Sequence, residues 1–164
     1  MAKKVTFYGI LAALCLVLGY VETLLPLDFI APGIKLGLAN TALLFLILKN
    51  DIKGAFAVNI VRILLSALLF SAPSTLIYSF TAGIISLSVM TLLSKISKIS
   101  VIGFSVIGAV VHNITQLAVA FFMIGAGVLY YLPFLLVCAV VCGVLTAFIA
   151  DILFKKLNSY IKNI

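Results

Sequence analysis

Apolar residues run through this chain in six blocks, each closed by a short cluster of polar or turn-forming residues. The blocks predict helices at roughly 5–24, 34–48, 53–70, 74–94, 100–125 and 131–154. Helices of this size suit a membrane, because a hydrocarbon core ~30 Å thick needs about 20 residues rising about 1.5 Å each. None of the blocks alternates apolar with polar over about ten residues, as strands of a transmembrane barrel do. Pro, Gly, Asn or Lys mark the breaks: "LLPLDFIAPG" (24–33), "KNDIK" (49–53), "SAPS" (71–74), "SKISKIS" (94–100) and "GAGVLYYLP" (125–133). No long repeat or low-complexity tract interrupts the pattern, so residues 1–164 read as a single six-helix transmembrane domain.

Composition turns that pattern into a statement about solvent. The chain is 65% hydrophobic and 9% charged, with a mean hydropathy of +1.39. A water-soluble domain carries about 45–50% apolar and about 25% charged residues, so the expected fold class is an all-α integral membrane protein. Charge adds topology. Nine of the eleven basic residues (Lys3, Lys4, Lys49, Lys53, Lys95, Lys98, Lys155, Lys156 and Lys162) fall in the two tails and in the second and fourth loops. Six spans put all of these on one side, and an excess of Lys and Arg marks the cytoplasmic side, so both termini are expected there. The net charge of +7 is therefore a topology signal. It does not imply a nucleic-acid partner, because the basic residues are scattered through short loops without interleaved aromatics.

The start "MAKKVTFYGILAALC" loosely resembles a lipoprotein signal ending at Cys15, but Leu14 stands where cleavage wants a small residue. The segment is expected to be a permanent first span. Cys138 and Cys142 lie one helical turn apart, yet no His or carboxylate joins them at ligand spacing, and three cysteines is an odd count for disulfides. They read as small packing residues, and no metal or cofactor is expected.

Polar residues inside the spans carry the functional signal, because an ionisable group at bilayer depth costs at least ~2.5–3.5 kcal/mol and usually faces protein or a water-filled cavity. His112, Asn113 and Gln116, within "AVVHNITQLAVA" (109–120), form one stripe near the middle of the fifth span. Asn59 and Arg62, three apart on the third span, reach a similar depth. Lys35 and Asn40 lie on the second span, Tyr78 with Ser79 and Thr81 on the fourth, and Glu22 at the outer end of the first. Together they describe a pocket opening outward. Arg62 is a fixed positive fork suited to an anionic or carbonyl-bearing group, while the amides and His112 both donate and accept. The same amides and His112 also serve as interhelical packing contacts worth ~0.6–2 kcal/mol, and Glu22 reads equally as a gate or as a solvated helix end. Asp151 beside Lys155 and Lys156 reads as an interfacial pair one turn apart.

Small residues recur at Ala139, Gly143 and Ala147 on the sixth span and at Gly9 and Ala13 on the first. Such faces let helices approach closely, within the bundle or against a partner.

Several segments carry a resemblance: "LPLDFIAPGIKLGLAN" (25–40), "NIVRILLSALLF" (59–70), "YSFTAGIISL" (78–87) and "GAVVHNITQLAVA" (108–120). Over nearly its whole length the chain resembles small bacterial membrane proteins called the Gx transporter family or heptaprenyl diphosphate synthase component I. These in turn resemble the substrate-binding S components of energy-coupling factor (ECF) transporters. The resemblance implies an S-component-like bundle in the bacterial cytoplasmic membrane that binds a vitamin-like solute and docks on a coupling protein with an ATPase pair. On that reading residues 24–33 form a lid stiffened by Pro26 and Pro32, with Glu22 at the gate. Gly9 and Ala13 take the place of the paired alanines of the docking face. The other family label implies a non-catalytic membrane accessory to a soluble prenyl diphosphate synthase subunit.

The residues limit both readings. Prenyl synthases hold diphosphate through Mg²⁺ on closely spaced aspartates, whereas Asp28, Asp51 and Asp151 are far apart, so the chain is not expected to be the catalytic subunit. It carries no glycine-rich phosphate loop and is not expected to hydrolyse ATP. A proton-coupled carrier using Glu22 or His112 fits less well, for want of an inverted repeat with broken helices. The favoured expectation is a substrate-capturing component that binds a small organic solute, with membrane lipid around it. The alternative is the accessory role in isoprenoid or menaquinone synthesis.

Overall fold

The computed structural model describes residues 2–24, 38–70, 73–96 and 99–162, and every regular element among them is helical. Helix α1 (Ala2–Thr23) is followed by a 3₁₀ turn at Leu38–Asn40 that runs directly into α2 (Thr41–Leu48). Helices α3 (Ile52–Phe70), α4 (Pro73–Leu93) and α5 (Val101–Ile124) come next, and a second 3₁₀ segment (Ala126–Tyr131) opens into α6 (Leu132–Lys162).

Five helical stretches, 18 to 31 residues long, are long and apolar enough to cross a membrane: those of α1, α3, α4, α5 and the final one ending in α6. Their outer faces are apolar too, with Leu68, Phe122 and Phe148 among the most exposed side chains. This is a multi-pass membrane protein. Of the predicted second span, 34–48, the described part is a three-residue 3₁₀ turn and the eight residues of α2. Residues 34–37 lie outside the described residues. Within Thr41–Ile47 no residue is more than 4% exposed. A stretch that is apolar all round and sealed on every side belongs to the core of the bundle.

The long helices pack in sequence, α1 on α3, α3 on α4, α4 on α5 and α5 on α6, while α2 touches α1, α3, α4 and α6. Helix α2 is thus the axis of the bundle. Its exit is built locally: Asn50, at φ 59°, takes the left-handed conformation beyond the last turn. The N–H groups of Asn50 and Asp51 close back on the carbonyls of Ile47 and Leu46 at 2.8 and 2.9 Å. Asp51 then caps α3, its Oδ1 accepting the Gly54 N–H at 3.0 Å while Oδ2 accepts the Tyr8 hydroxyl at 2.6 Å. Ser100 caps α5 in the same way, accepting the Gly103 N–H at 3.1 Å.

Lys4, Lys49, Lys53, Lys95, Lys155 and Lys156 collect where α1, α3 and α5 begin and α2, α4 and α6 end, which defines a basic end and a far end. Lys155 pairs there with Asp151 at 2.7 Å, the one-turn pair expected from the sequence. The interior has three layers. Toward the basic end Leu11, Leu43–Ile47, Val58, Leu87, Met90 and Phe104 form the main apolar core. Toward the far end Tyr78, Leu117, Ala120, Val128 and Leu135 form a smaller one. Along α4 and α5 the buried polar residues Ser86, His112, Asn113 and Gln116 fall between these clusters, and Asn40, Asn59 and Arg62 follow the main core on their own elements. A polar layer therefore crosses the apolar bundle.

Candidate functional site

Arg62 organises one half of that layer. Its Nε donates to Asn59 Oδ1 at 3.0 Å, the contact expected of residues three apart on one helix. Its Nη2 donates to Asn40 Oδ1 at 2.8 Å, reaching from α3 to the residue that opens α2. Asn59 is fully buried against α4, where a Cβ added to Gly83 would lie 3.2 Å from both its amide atoms. Its Oδ1 is taken by Arg62 but its Nδ2 has no hydrogen-bond partner. A guanidinium inside a membrane bundle is thus held by two amide oxygens, and one of the amides keeps an unused donor pointing at the helix beside it.

Glu22, at the far end of α1, is buried rather than solvated, and its Oε1 accepts the Leu38 N–H at 2.5 Å. Glu22 and Arg62 line one small cavity with Cys15, Gly19, Ala39, Ile63, Ser66 and Ser79. About 20 Å³ of it is open to the centre of a water molecule, room for roughly one. The two opposite charges thus share one space.

His112 organises the other half. As the amide is placed, Gln116 Nε2 approaches His112 Nε2 at 3.2 Å, one turn along α5. His112 Nδ1 faces Ser86 Oγ on α4 at 3.5 Å. Asn113 points the other way, its Nδ2 donating to the Leu135 carbonyl of α6 at 3.3 Å. Its Oδ1 has no partner, although the residue is only 1% exposed. Buried polar groups are nearly always paired, so Asn59 Nδ2 and Asn113 Oδ1 stand out as sites for a further ligand atom or water.

The structure thus joins Asn40, Asn59 and Arg62 directly, brings Glu22 to the same cavity, and joins His112, Gln116 and Ser86. Tyr78 is elsewhere: it is buried in the far-end apolar cluster, because the face of α4 that it occupies packs against Leu117 and Leu135. Lys35, Pro26 and Pro32 lie outside the described residues. Among the polar groups that escaped the sequence reading are Cys15 and Ser66 on the cavity wall and Ser86 beside His112. Ser79, Gly83 and Ser86 share a face of α4 by their spacing of four and three, a signal that would have led to Ser86.

The small-residue faces separate. Ala139, Gly143 and Ala147 are buried, and a Cβ on Gly143 would meet the Val106 Cα of α5 at 2.6 Å. Gly9 and Ala13 are exposed, and a Cβ on Gly9 would meet nothing within 4 Å. The thiols of Cys15, Cys138 and Cys142 are unpaired, and no group of three or more His, Cys, Asp or Glu residues that could hold a metal occurs among the described residues.

Residues 11–153 match the family described as heptaprenyl diphosphate synthase component I. The chain belongs to that family. The match begins in the middle of α1 and ends near the basic end of α6, so Glu22, Asn40, Asn59, Arg62, His112, Asn113 and Gln116 all fall inside it, as does Ala13, whereas Gly9 precedes it. No curated protein and no solved structure matches this component I chain.

Proposed function

We propose that this component I protein is a non-catalytic membrane partner of a prenyl diphosphate synthase subunit, and that its interior polar layer binds a small polar or anionic ligand. The observation that carries the binding reading is Arg62, held inside the bundle by Asn40 and Asn59 beside an unused Asn59 donor. A cation at that depth costs at least ~2.5–3.5 kcal/mol, and the amides that hold it leave a buried donor unpaired, which suits a site that takes a further polar group. The family supports the biosynthetic setting. An excess of lysines marks the cytoplasmic side of a membrane protein, which puts the basic end where a soluble synthase meets it.

A second reading is the solute-binding component of an ECF importer. The exposed Gly9 and Ala13 favour it, since they leave a flat face on α1 that the bundle does not use. One experiment separates the two: purification of the tagged chain from its native membrane in mild detergent, with partners and retained small molecules identified by mass spectrometry. A soluble prenyl synthase is the expected partner. Recovery of a coupling membrane protein with two ATPases and no synthase refutes the accessory reading and makes the retained molecule the candidate solute.

A further inference from the structure

A buried carboxylate on the same cavity as a half-buried guanidinium commonly forms a fixed ion pair, but the setting of Glu22 is that of an anion site. Its Oε1 accepts a backbone N–H from Leu38, the first residue of the turn that leads into α2. The Arg62 guanidinium on the same cavity is oriented by Asn59 and Asn40, and the hydroxyl residues Ser66 and Ser79 complete the polar wall. A backbone N–H at the head of a helix, an oriented guanidinium and hydroxyls converging on one space are the donors that hold carboxylates and phosphates. The cavity, at about 20 Å³, is too small for either while Glu22 is in place.

We propose that the Glu22 carboxylate is the resident anion of this site. It occupies the position that a carboxylate or phosphoryl group of the ligand takes, so that binding exchanges one anion for another at the Leu38 N–H and Arg62. The exchange leaves the charge on Arg62 compensated before and after, which a neutral ligand displacing Glu22 does not. This inference rests on the reading of the Arg62 site as a ligand site and adds the class of ligand, an anion, and the residue it replaces.

The test uses the full chain in detergent, with thermal unfolding followed by a thiol-reactive dye that reports exposure of the buried Cys15 and Cys142. The probes are acetate, inorganic phosphate and inorganic diphosphate at constant ionic strength in chloride, with acetamide as the neutral control. A ligand that binds the folded state raises the midpoint in a saturable way. The parent is expected to respond to at least one of the anions and not to acetamide; acetate alone identifies a carboxylate ligand, and phosphate or diphosphate a phosphoryl one. Glu22→Gln is expected to respond at roughly ten- to hundredfold lower anion concentration, the span set by loss of a competing charge-assisted hydrogen bond. Arg62→Gln is expected to lose the response. If Glu22→Gln and parent respond at the same concentration while Arg62→Gln does not, the anion site stands and Glu22 is not its resident anion. If no anion exceeds acetamide in the parent or in Glu22→Gln, the anionic ligand class is refuted, whatever partner the purification recovers. Should Glu22→Gln purify unfolded, Glu22→Ala prepared in acetate replaces it; recovery of a monodisperse protein only with acetate supports the exchange, and no recovery refutes it.

Discussion

Alanine at Gly143 and alanine at Gly9 are the same chemical change on two membrane helices, with opposite expected outcomes. At Gly143 the new Cβ would lie 2.6 Å from the Val106 Cα and 3.1 Å from its N and Cγ2. Ordinary contact for these atoms is about 3.4–4 Å, so α5 and α6 must part by roughly 1 Å along a backbone contact that no rotamer change relieves; overpacking of this kind costs about 1–3 kcal/mol. At Gly9 nothing lies within 4 Å of the added atom. Both substitutions gain a similar amount, up to about 1 kcal/mol, from the better helix propensity of alanine, which cancels in the comparison. Gly143→Ala is therefore expected to be about 1–3 kcal/mol less stable than Gly9→Ala. At about 2–4 °C per kcal/mol for a chain of this length, the difference in melting midpoint is roughly 2–12 °C. The assay is loss of helical circular dichroism on heating, both variants in one detergent. Midpoints within one degree of each other would refute the close α5 and α6 contact and the assignment of the α6 small-residue face to internal packing. Because Gly9→Ala is expected to fold as the parent does, a loss of partner recovery in that variant would trace to the outer face of α1 and not to unfolding.

Asn113→Leu removes a buried amide whose Oδ1 is unpartnered and whose other end makes one long bond of 3.3 Å. An unsatisfied buried polar group costs about 1–3 kcal/mol, so the variant is expected to melt at or above the parent while retaining less of any ligand recovered with it; a clearly lower midpoint would make Asn113 a packing contact. Asp51→Ala removes the cap of α3 and the acceptor of the Tyr8 hydroxyl together. With about 1 kcal/mol for the cap, it is expected to lower the melting midpoint more than Tyr8→Phe, which leaves the cap in place; equal losses in the two variants by thermal unfolding would contradict the capping role.

Within a single helix the arithmetic of 3.6 residues per turn made contacts readable in advance. Asn59 with Arg62, His112 with Gln116, and Asp151 with Lys155 are all found at hydrogen-bonding distance. Five membrane-length helices were legible for the same reason, since length and hydropathy are local properties. Contacts between helices were not. The Asn40 bond to Arg62, the burial of Glu22 and its bond to Leu38, the Ser86 contact to His112 and the apolar setting of Tyr78 each depend on which faces meet. So does the burial of Thr41–Ile47 on every side.

Gly9 with Ala13 and Gly143 with Ala147 show where the boundary lies. Both pairs are spaced by four on apolar helices, yet the first faces outward and the second is sealed against α5. By itself the sequence determined that this chain is helical, lies in a membrane, and carries a charged and hydrogen-bonding set at mid-depth, because hydropathy and period follow from covalent order alone. Only the tertiary structure decided which of those residues meet and which faces remain for a partner. In water an exposed face must be polar and so announces itself, whereas lipid tails are as apolar as leucine, and a helix face turned to lipid has the same composition as one turned to another helix.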